Sequence, residues 1–241
     1  MTKRVAISGA AGAIGSETAQ TFARSGAKLV LLDRDLDALS RLRERINCAD
    51  ADIVKYDQAS ADSIAAAVAA VGPVDVFVNN AAVLVRKPLL ETSDQEIEGV
   101  IAVNVLGATR MALGFARQMI AAGRAGVILN VSSHQAFVGG SGRGIYAMSK
   151  AAMVQFTRTA GAEWQRHGIR VVGVAPGPVA SPLTDDVMAD PMQREAVLTR
   201  LPIGRLMTAL EIAELIQAMC SGTMTCVIGQ TLIADGGAML S

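Results

Sequence analysis

Histidine and cysteine are scarce in this chain, and their scarcity narrows its chemistry first. Two histidines and three cysteines, Cys48, Cys220 and Cys226, do not furnish the clustered ligands of a zinc site. The cysteines are odd in number and show no C-x-x-C spacing. They read as reduced thiols of a cytoplasmic protein rather than a disulfide framework. An excess of charge is also missing. The 22 Lys and Arg balance the 22 Asp and Glu, and no block of like charge stands out. Nothing in that balance recommends nucleic acid or an anionic membrane as a partner. No run reaches the roughly 18 uninterrupted apolar residues of a membrane span. The most apolar window, 64–85, is interrupted by Pro73, Asp75, Asn79 and Asn80. Lys3 and Arg4 before an apolar stretch imitate a secretory leader, but Gly9, Gly12 and Gly15 interrupt it. There is no internal repeat and no composition shift that marks a linker.

What is present is apolar material. Of 241 residues, 51% are hydrophobic and 18% charged, enough for one sizeable core. Short, nearly continuous apolar runs recur at 4–7, 28–32, 52–55, 74–78, 127–131, 170–174 and 231–234. Continuous rather than alternating apolarity suits parallel strands covered on both faces. Helical stretches lie between them, at 16–25, 35–46, 60–71, 96–122, 146–166 and 209–220. In the second of these, Leu36, Leu39, Leu42 and Ile46 fall at helical spacing. The alternation predicts an α/β fold. It is one doubly wound, Rossmann-type parallel sheet of about seven strands, flanked by helices on both faces, over residues 1–241. Residues 181–208 break the rhythm with Pro182, Pro191 and Pro202 and read as a mobile excursion, a lid over a substrate.

The first strand runs into SGAAGAIG, residues 8–15, and a helix opens near Ile14. Strand, glycine-rich turn and helix N-terminus together make a phosphate site. Glycine lets backbone N–H groups approach, and the helix end carries partial positive charge. The second strand ends at Asp33, eighteen residues after Gly15. An acid there accepts hydrogen bonds from both hydroxyls of an adenosine ribose and repels a 2′-phosphate. No Lys or Arg lies between Ser8 and Gly15. The pair favours NAD over NADP, although Arg34 is placed either to stack on adenine or to accept the extra phosphate.

Tyr146 and Lys150 are four residues apart and share one helix face. A phenol with a pKa near 10 is a poor base at neutral pH. A neighbouring ammonium and a positively charged nicotinamide both favour the phenolate. Lowering the pKa by about three units takes roughly 4 kcal/mol, within reach of two close cations in a poorly hydrated cleft. Tyr146 then takes a proton from an alcohol while a nicotinamide takes the hydride.

In this order, Ser8-Gly9…Gly15, Asp33, Asp57, Asn79-Asn80-Ala81-Ala82, Asn104, Ser132-Ser133, Tyr146…Lys150, Pro176-Gly177 and Asp235-Gly236-Gly237, the chain resembles the short-chain dehydrogenase/reductase family. The resemblance implies the remaining roles. Ser133 polarises the substrate carbonyl, with Ser132 a structural neighbour. Tyr146 is the acid/base, and Lys150 binds the nicotinamide ribose and lowers the tyrosine's pKa. Asn104 kinks its helix and holds a relay water. Gly9, Gly12, Ala13, Ile14 and Gly15 form the pyrophosphate loop. Asp57 and Gln58 line the adenine, and Asn80 and Ala81 the adenosine. Pro176, Val179 and Ser181 cradle the nicotinamide. The family's usual loop places glycines at 9, 13 and 15, whereas this chain has Gly12 and Ala13. Ala82, Val172 and Met207 are further departures.

Expected pocket walls are Val83, His134, Gln135, Phe137, Arg143, Pro178, Leu183, Met188 and Met192. His134 is read as a hydrogen-bonding wall residue rather than a second acid/base. Arg86 and Arg143 either meet a substrate carboxylate or lie in solvent. The implied activity interconverts a secondary alcohol and a ketone, with a polyol, sugar or sugar acid as substrate. A 3-oxoacyl thioester and a cyclic or aliphatic alcohol are the rival substrates. A non-catalytic dinucleotide-binding regulator is the rival of another class. A homotetramer is also implied. The stripe Val105, Ala108, Ala112, Phe115, Ala116 and Met119 serves either its interface or the sheet.

Overall fold

The seven apolar runs all become strands of a single parallel sheet. The structure, a computed structural model, describes residues 2–240 apart from 49, 182, 183 and 185–187. Strands β1 (Arg4–Ser8), β2 (Lys28–Asp33), β3 (Asp52–Lys55), β4 (Val76–Asn79), β5 (Gly126–Val131), β6 (Ile169–Pro176) and β7 (Thr231–Ala234) lie in the order β3-β2-β1-β4-β5-β6-β7. Strand order reverses between β1 and β4, which are neighbours with Ile7 beside Val78. In a doubly wound sheet the crevice beyond the strand ends at such a reversal is where ligands sit.

Helices α1 (Ala13–Arg24), α2 (Leu36–Arg45) and α3 (Ala61–Val71) follow the first three strands. Then come α4 (Asp94–Ile101), a π-helical segment (Ala102–Gly107), α5 (Ala108–Ala121), α6 (Gly144–Trp164), α7 (Pro191–Leu198) and α8 (Ala209–Met219). Successive strand residues point to opposite faces. Val5, Ile7, Leu29, Leu31, Val76 and Val78 pack against α1, α2 and α8, through Phe22, Leu39, Leu42, Ile212 and Ile216. Ala6, Val30, Leu32, Phe77 and Ile128 pack against α3 and α5, through Ile64, Val68, Met111, Phe115 and Met119. Phe77 and Phe115 are both fully buried, with ring centroids 4.4 Å apart. Truncating either to alanine is expected to cost about 3–5 kcal/mol.

That packing assigns the apolar stripe of α5. Ala108, Ala112, Phe115, Ala116 and Met119 are buried inside this one chain, with Ala112, Phe115, Ala116 and Met119 in the sheet-facing core, so they are not a free surface for a second copy. The whole run Asp94–Ala121 is long and apolar enough by composition to cross a membrane. Its α5 part packs on the sheet through Met111, Ala112, Phe115, Ala116 and Met119, while Val100 alone is buried in α4.

Two expectations change. The 181–208 excursion is not wholly irregular, because it contains α7. Its exit is fastened by a parallel bridge between Val179 and Met207, with Ala180 N–H donating to Met207 O and Met207 N–H to Pro178 O. The 96–122 helix is not uniform either. Its π-helical turn surrounds Asn104, the residue expected to kink it. A π-bulge carries one extra residue into the turn and displaces a side chain from the regular ladder.

Candidate active site

A cavity of about 420 Å³ opens at the β1/β4 reversal. One end is walled by Gly9, Gly12, Ala13, Ile14, Asp33 and Arg34, the other by Ser133, His134, Gln135, Arg143, Tyr146 and Lys150. Asp57, Gln58, Asn80 and Ala81 line the first half; Pro176, Val179 and Ser181 line the second. Of the expected site residues only Gly15 and Asn104 stand behind the wall.

The glycine loop is closed by contacts that tolerate no side chain at two positions. Gly9 has φ +62°, and a Cβ there would lie 2.7 Å from Ala81 Cα. A Cβ on Gly15 would lie 2.1 Å from Gly9 O. Ser8 Oγ accepts from the N–H groups of Asn80 and Ala81, and Asn80 Nδ2 donates to the carbonyls of Ser8 and Gly9 (3.1 and 3.0 Å). Gly12 is the N-cap of α1 and supplies no side-chain cap, so the helix's first N–H groups are left for a ligand. Asp33 is oriented by Ala11 N–H on Oδ2 (3.1 Å) and Asp35 N–H on Oδ1 (3.2 Å). A carboxylate has further lone pairs to offer a ribose. The uncapped helix end and the side-chain-free cradle fit a dinucleotide.

At the other end, α6 carries Tyr146 and Lys150 while the end of β5 carries Ser133. Ser133 and Tyr146 line the same wall, and Ser133 Oγ accepts from Gln135 N–H (3.2 Å). Burial pushes the phenol up from its usual range, while Ser133 and the Arg143 guanidinium pull it down. Lys150 is buried, and burial alone brings its ammonium down to about 8. Its Nζ donates to Val131 O (2.9 Å) and lies 5.7 Å from the Tyr146 ring centroid. The expected pull of Lys150 on Tyr146 would act across that distance. Ser132 Oγ donates to Lys150 O (2.9 Å), the structural role expected of it. Asn104 is held through its amide. Oδ1 accepts from Val83 N–H, and Nδ2 donates to Val83 O and Ser149 Oγ (2.8, 2.8 and 3.0 Å). The π-turn is seated where Gly107 meets Gln58; a Cβ on Gly107 would lie 2.1 Å from Gln58 O.

Gln58 reaches the cavity, but its amide is already engaged. Nε2 donates to Ala81 O and Val103 O, and Oε1 accepts from Tyr56 OH. It is a brace between the β4 loop and the π-turn. Burial raises the Tyr56 phenol, which stays a neutral donor. Tyr56 and Ser149 were missed by sequence reasoning, since their partners are distant in the chain or generic in type. His134 is buried, with Nδ1 3.2 Å from Pro176 O and Nε2 2.8 Å from Gln135 Nε2. Pro176 O only accepts, so Nδ1 carries the proton and Nε2 accepts from Gln135. Both nitrogens are engaged and burial lowers the ring's pKa, as befits a wall residue. Phe137 is absent from the lining, and Met192 is 82% exposed. Leu183 lies outside the described residues. Among the described residues no group of His, Cys, Asp and Glu forms a metal site.

Residues 9–239 match the family model described as enoyl-(acyl carrier protein) reductase. The chain is 37% identical over 237 residues to galactitol 2-dehydrogenase (L-tagatose-forming) of Cereibacter sphaeroides, covering 96% of this chain and 93% of that protein. Gluconate 5-dehydrogenase of Gluconobacter oxydans is 31% identical over 244 residues, covering 99% and 95%. A solved structure of a putative NAD(P)-dependent gluconate 5-dehydrogenase from Beutenbergia cavernae, with NADP at low occupancy, superposes with TM-score 0.94. It is 32% identical, and the match covers 100% of this chain and 98% of that one. The chain belongs to the short-chain dehydrogenase/reductase family, oxidoreductases that use NAD(P) and act on CH–OH groups.

Proposed function

We propose that this protein interconverts a secondary alcohol and a ketone on a polyol, sugar or sugar acid, with NAD preferred over NADP. The observation that carries this reading is that Ser133, Tyr146 and Lys150 line one end of a cavity whose other end is the glycine loop. The dinucleotide, when bound, supplies the hydride acceptor. Tyr146 takes the hydroxyl proton of the substrate. Ser133 donates to the substrate oxygen and polarises the carbonyl in the reverse direction. Lys150 holds a positive charge behind the tyrosine and is placed by Val131 O. Asn104 positions Ser149 on α6 and the backbone of Val83, both adjoining the reacting centre. The relatives named above, whose printed names are those of polyol and sugar-acid dehydrogenases, support the substrate class. Asp33, held in a fixed orientation, supports NAD.

Tyr146→Phe tests the reaction. Turnover should fall about 1,000-fold or more while dinucleotide affinity stays unchanged. Retained turnover would end the assignment of Tyr146. Parallel rates with NAD and NADP test the cofactor preference; equal rates would mean that Arg34 outweighs Asp33. The homotetramer remains part of the proposal, and light scattering that reports a monomer at micromolar concentration would remove it.

A further inference from the structure

Arg143 is an anomaly at the N-terminus of α6. An N-cap is usually Ser, Thr, Asn or Asp, whose oxygen accepts from the first turn. Arginine offers no acceptor, and none is made. It also sets a cation against the positive end of the helix. The guanidinium is not turned out to solvent. It is half-buried on the cavity wall with Tyr146 and Ser133, close enough to Arg86, also on that wall, for the two cations to repel. Among the described residues no carboxylate forms an ion pair with Arg143. The acid that reaches this end electrostatically is Asp235, which acts on His134. Its two oxygens already accept from the N–H groups of Gly237 and Met239 (2.9 Å each). Asp33 and Asp57 line the dinucleotide half. A half-buried cation beside a like charge costs stability until an anion meets it.

We propose that Arg143 is a substrate-binding residue whose ligand is a carboxylate, so that the substrate is a hydroxylated acid rather than a neutral polyol. The inference rests on the reading of the site as an alcohol dehydrogenase. A guanidinium presents a planar fork that matches both oxygens of a carboxylate. It stands one helical turn before Tyr146, so a bound carboxylate fixes which carbon of the chain meets the tyrosine. Gln135 adds a second point of recognition. It lines the same cavity, and its buried Oε1 has no partner among the described residues. A substrate hydroxyl would supply the missing donor.

The experiment compares an aldonate, the alditol of equal chain length and an alditol phosphate as substrates, with wild type, Arg143→Met and Arg143→Lys. Wild type should favour the aldonate. Arg143→Met should lower kcat/KM for the aldonate about 100-fold more than for the alditol, the difference lying in KM; the loss of its pull on Tyr146 is common to both substrates and reads in kcat. Arg143→Lys should recover part of the loss, because it restores charge without the fork. Unchanged dinucleotide binding serves as the folding control. Preference for the alditol, or equal losses on both substrates, overturns the proposal. Preference for the phosphate ester assigns Arg143 to another anion and overturns the carboxylate. Aldonate binding to dinucleotide-loaded Tyr146→Phe, read by thermal shift, separates the two readings. Binding that Arg143→Met abolishes upholds this inference even if no alcohol is oxidised. If no alcohol is oxidised and the aldonate does not bind either, both fall.

Discussion

In the glycine loop at the dinucleotide end of the cleft the wall is backbone, while at the reacting end the walls are side chains from separate elements. Gly9, Gly12 and the opening of α1 offer N–H groups and close approach, braced by Ser8 and Asn80. Ser133, Tyr146, Lys150 and Arg143 offer hydroxyls and charges, delivered by the end of β5 and the first turns of α6. The two constructions fail differently. A backbone site is broken by added volume and is indifferent to pH. A side-chain site accepts altered volume at modest cost, but each group titrates according to its burial. The same cleft therefore holds a part that binds by shape and a part whose chemistry depends on where protons reside.

The comparison breaks most readily at Gly15. An alanine there would place Cβ 2.1 Å from Gly9 O, a backbone atom that cannot rotate away. Gly15→Ala should destabilise the protein by about 3 kcal/mol, the upper end of overpacking. It should also abolish measurable dinucleotide binding. Urea denaturation and dinucleotide titration read both effects. Wild-type binding in this variant would mean that the loop is not held by shape.

Lys150 sharpens the other side of the contrast. In the unfolded chain its ammonium has the ordinary value of 10.5, and in the folded protein burial brings it to about 8. Between those values the unfolded chain holds a proton that the folded protein has released. Stability of the dinucleotide-free protein therefore rises with pH through that window, by roughly 3 kcal/mol at most. Below pH 8 the penalty of the buried charge is present in full. Lys150→Met should be at least as stable as wild type at pH 7 and lose that advantage by pH 10. A stability difference that is flat between pH 7 and pH 10 would show that the ammonium is better solvated than its burial indicates. Gly12→Ala, on the backbone side, should show no such pH dependence.

The same division decides what could be read from the sequence. The strands were legible because burial on both faces leaves continuous apolar runs, and the glycine loop because Asp33 follows it at the end of the next strand, which a plain turn does not require. Tyr146 and Lys150 were legible only within the ordered set of motifs, because a Y-x-x-x-K spacing by itself is common. The brace role of Gln58 was not, since its partners Ala81 and Val103 lie 23 and 45 residues away. Helix α7 was hidden because it carries little apolar stripe, Pro191 and Met192 being exposed in a proline-rich segment. The α5 stripe showed that a face is buried but not against what; Phe77 decides it. The anomaly of Arg143 needed the boundary of α6, which fixes it as an N-cap.

Gly12 draws the finest line, because it separates what the fold needs from what the ligand needs. Its φ of −74° and ψ of 169° are open to any residue, and a Cβ there would meet only Gly9 O, at an ordinary 3.4 Å. Gly12→Ala should therefore leave stability within about 0.5 kcal/mol, since the entropy lost by the unfolded chain offsets a poorer N-cap. Its expected effect is a several-fold loss of dinucleotide affinity, as a methyl enters the space beside the first N–H groups of α1. Titration of dinucleotide beside a melting curve reads the two separately. Loss of stability comparable to Gly15→Ala would make all three glycines structural. Unchanged affinity would place the phosphates away from position 12 and leave Gly9 and Gly15 as the only glycines that the loop requires.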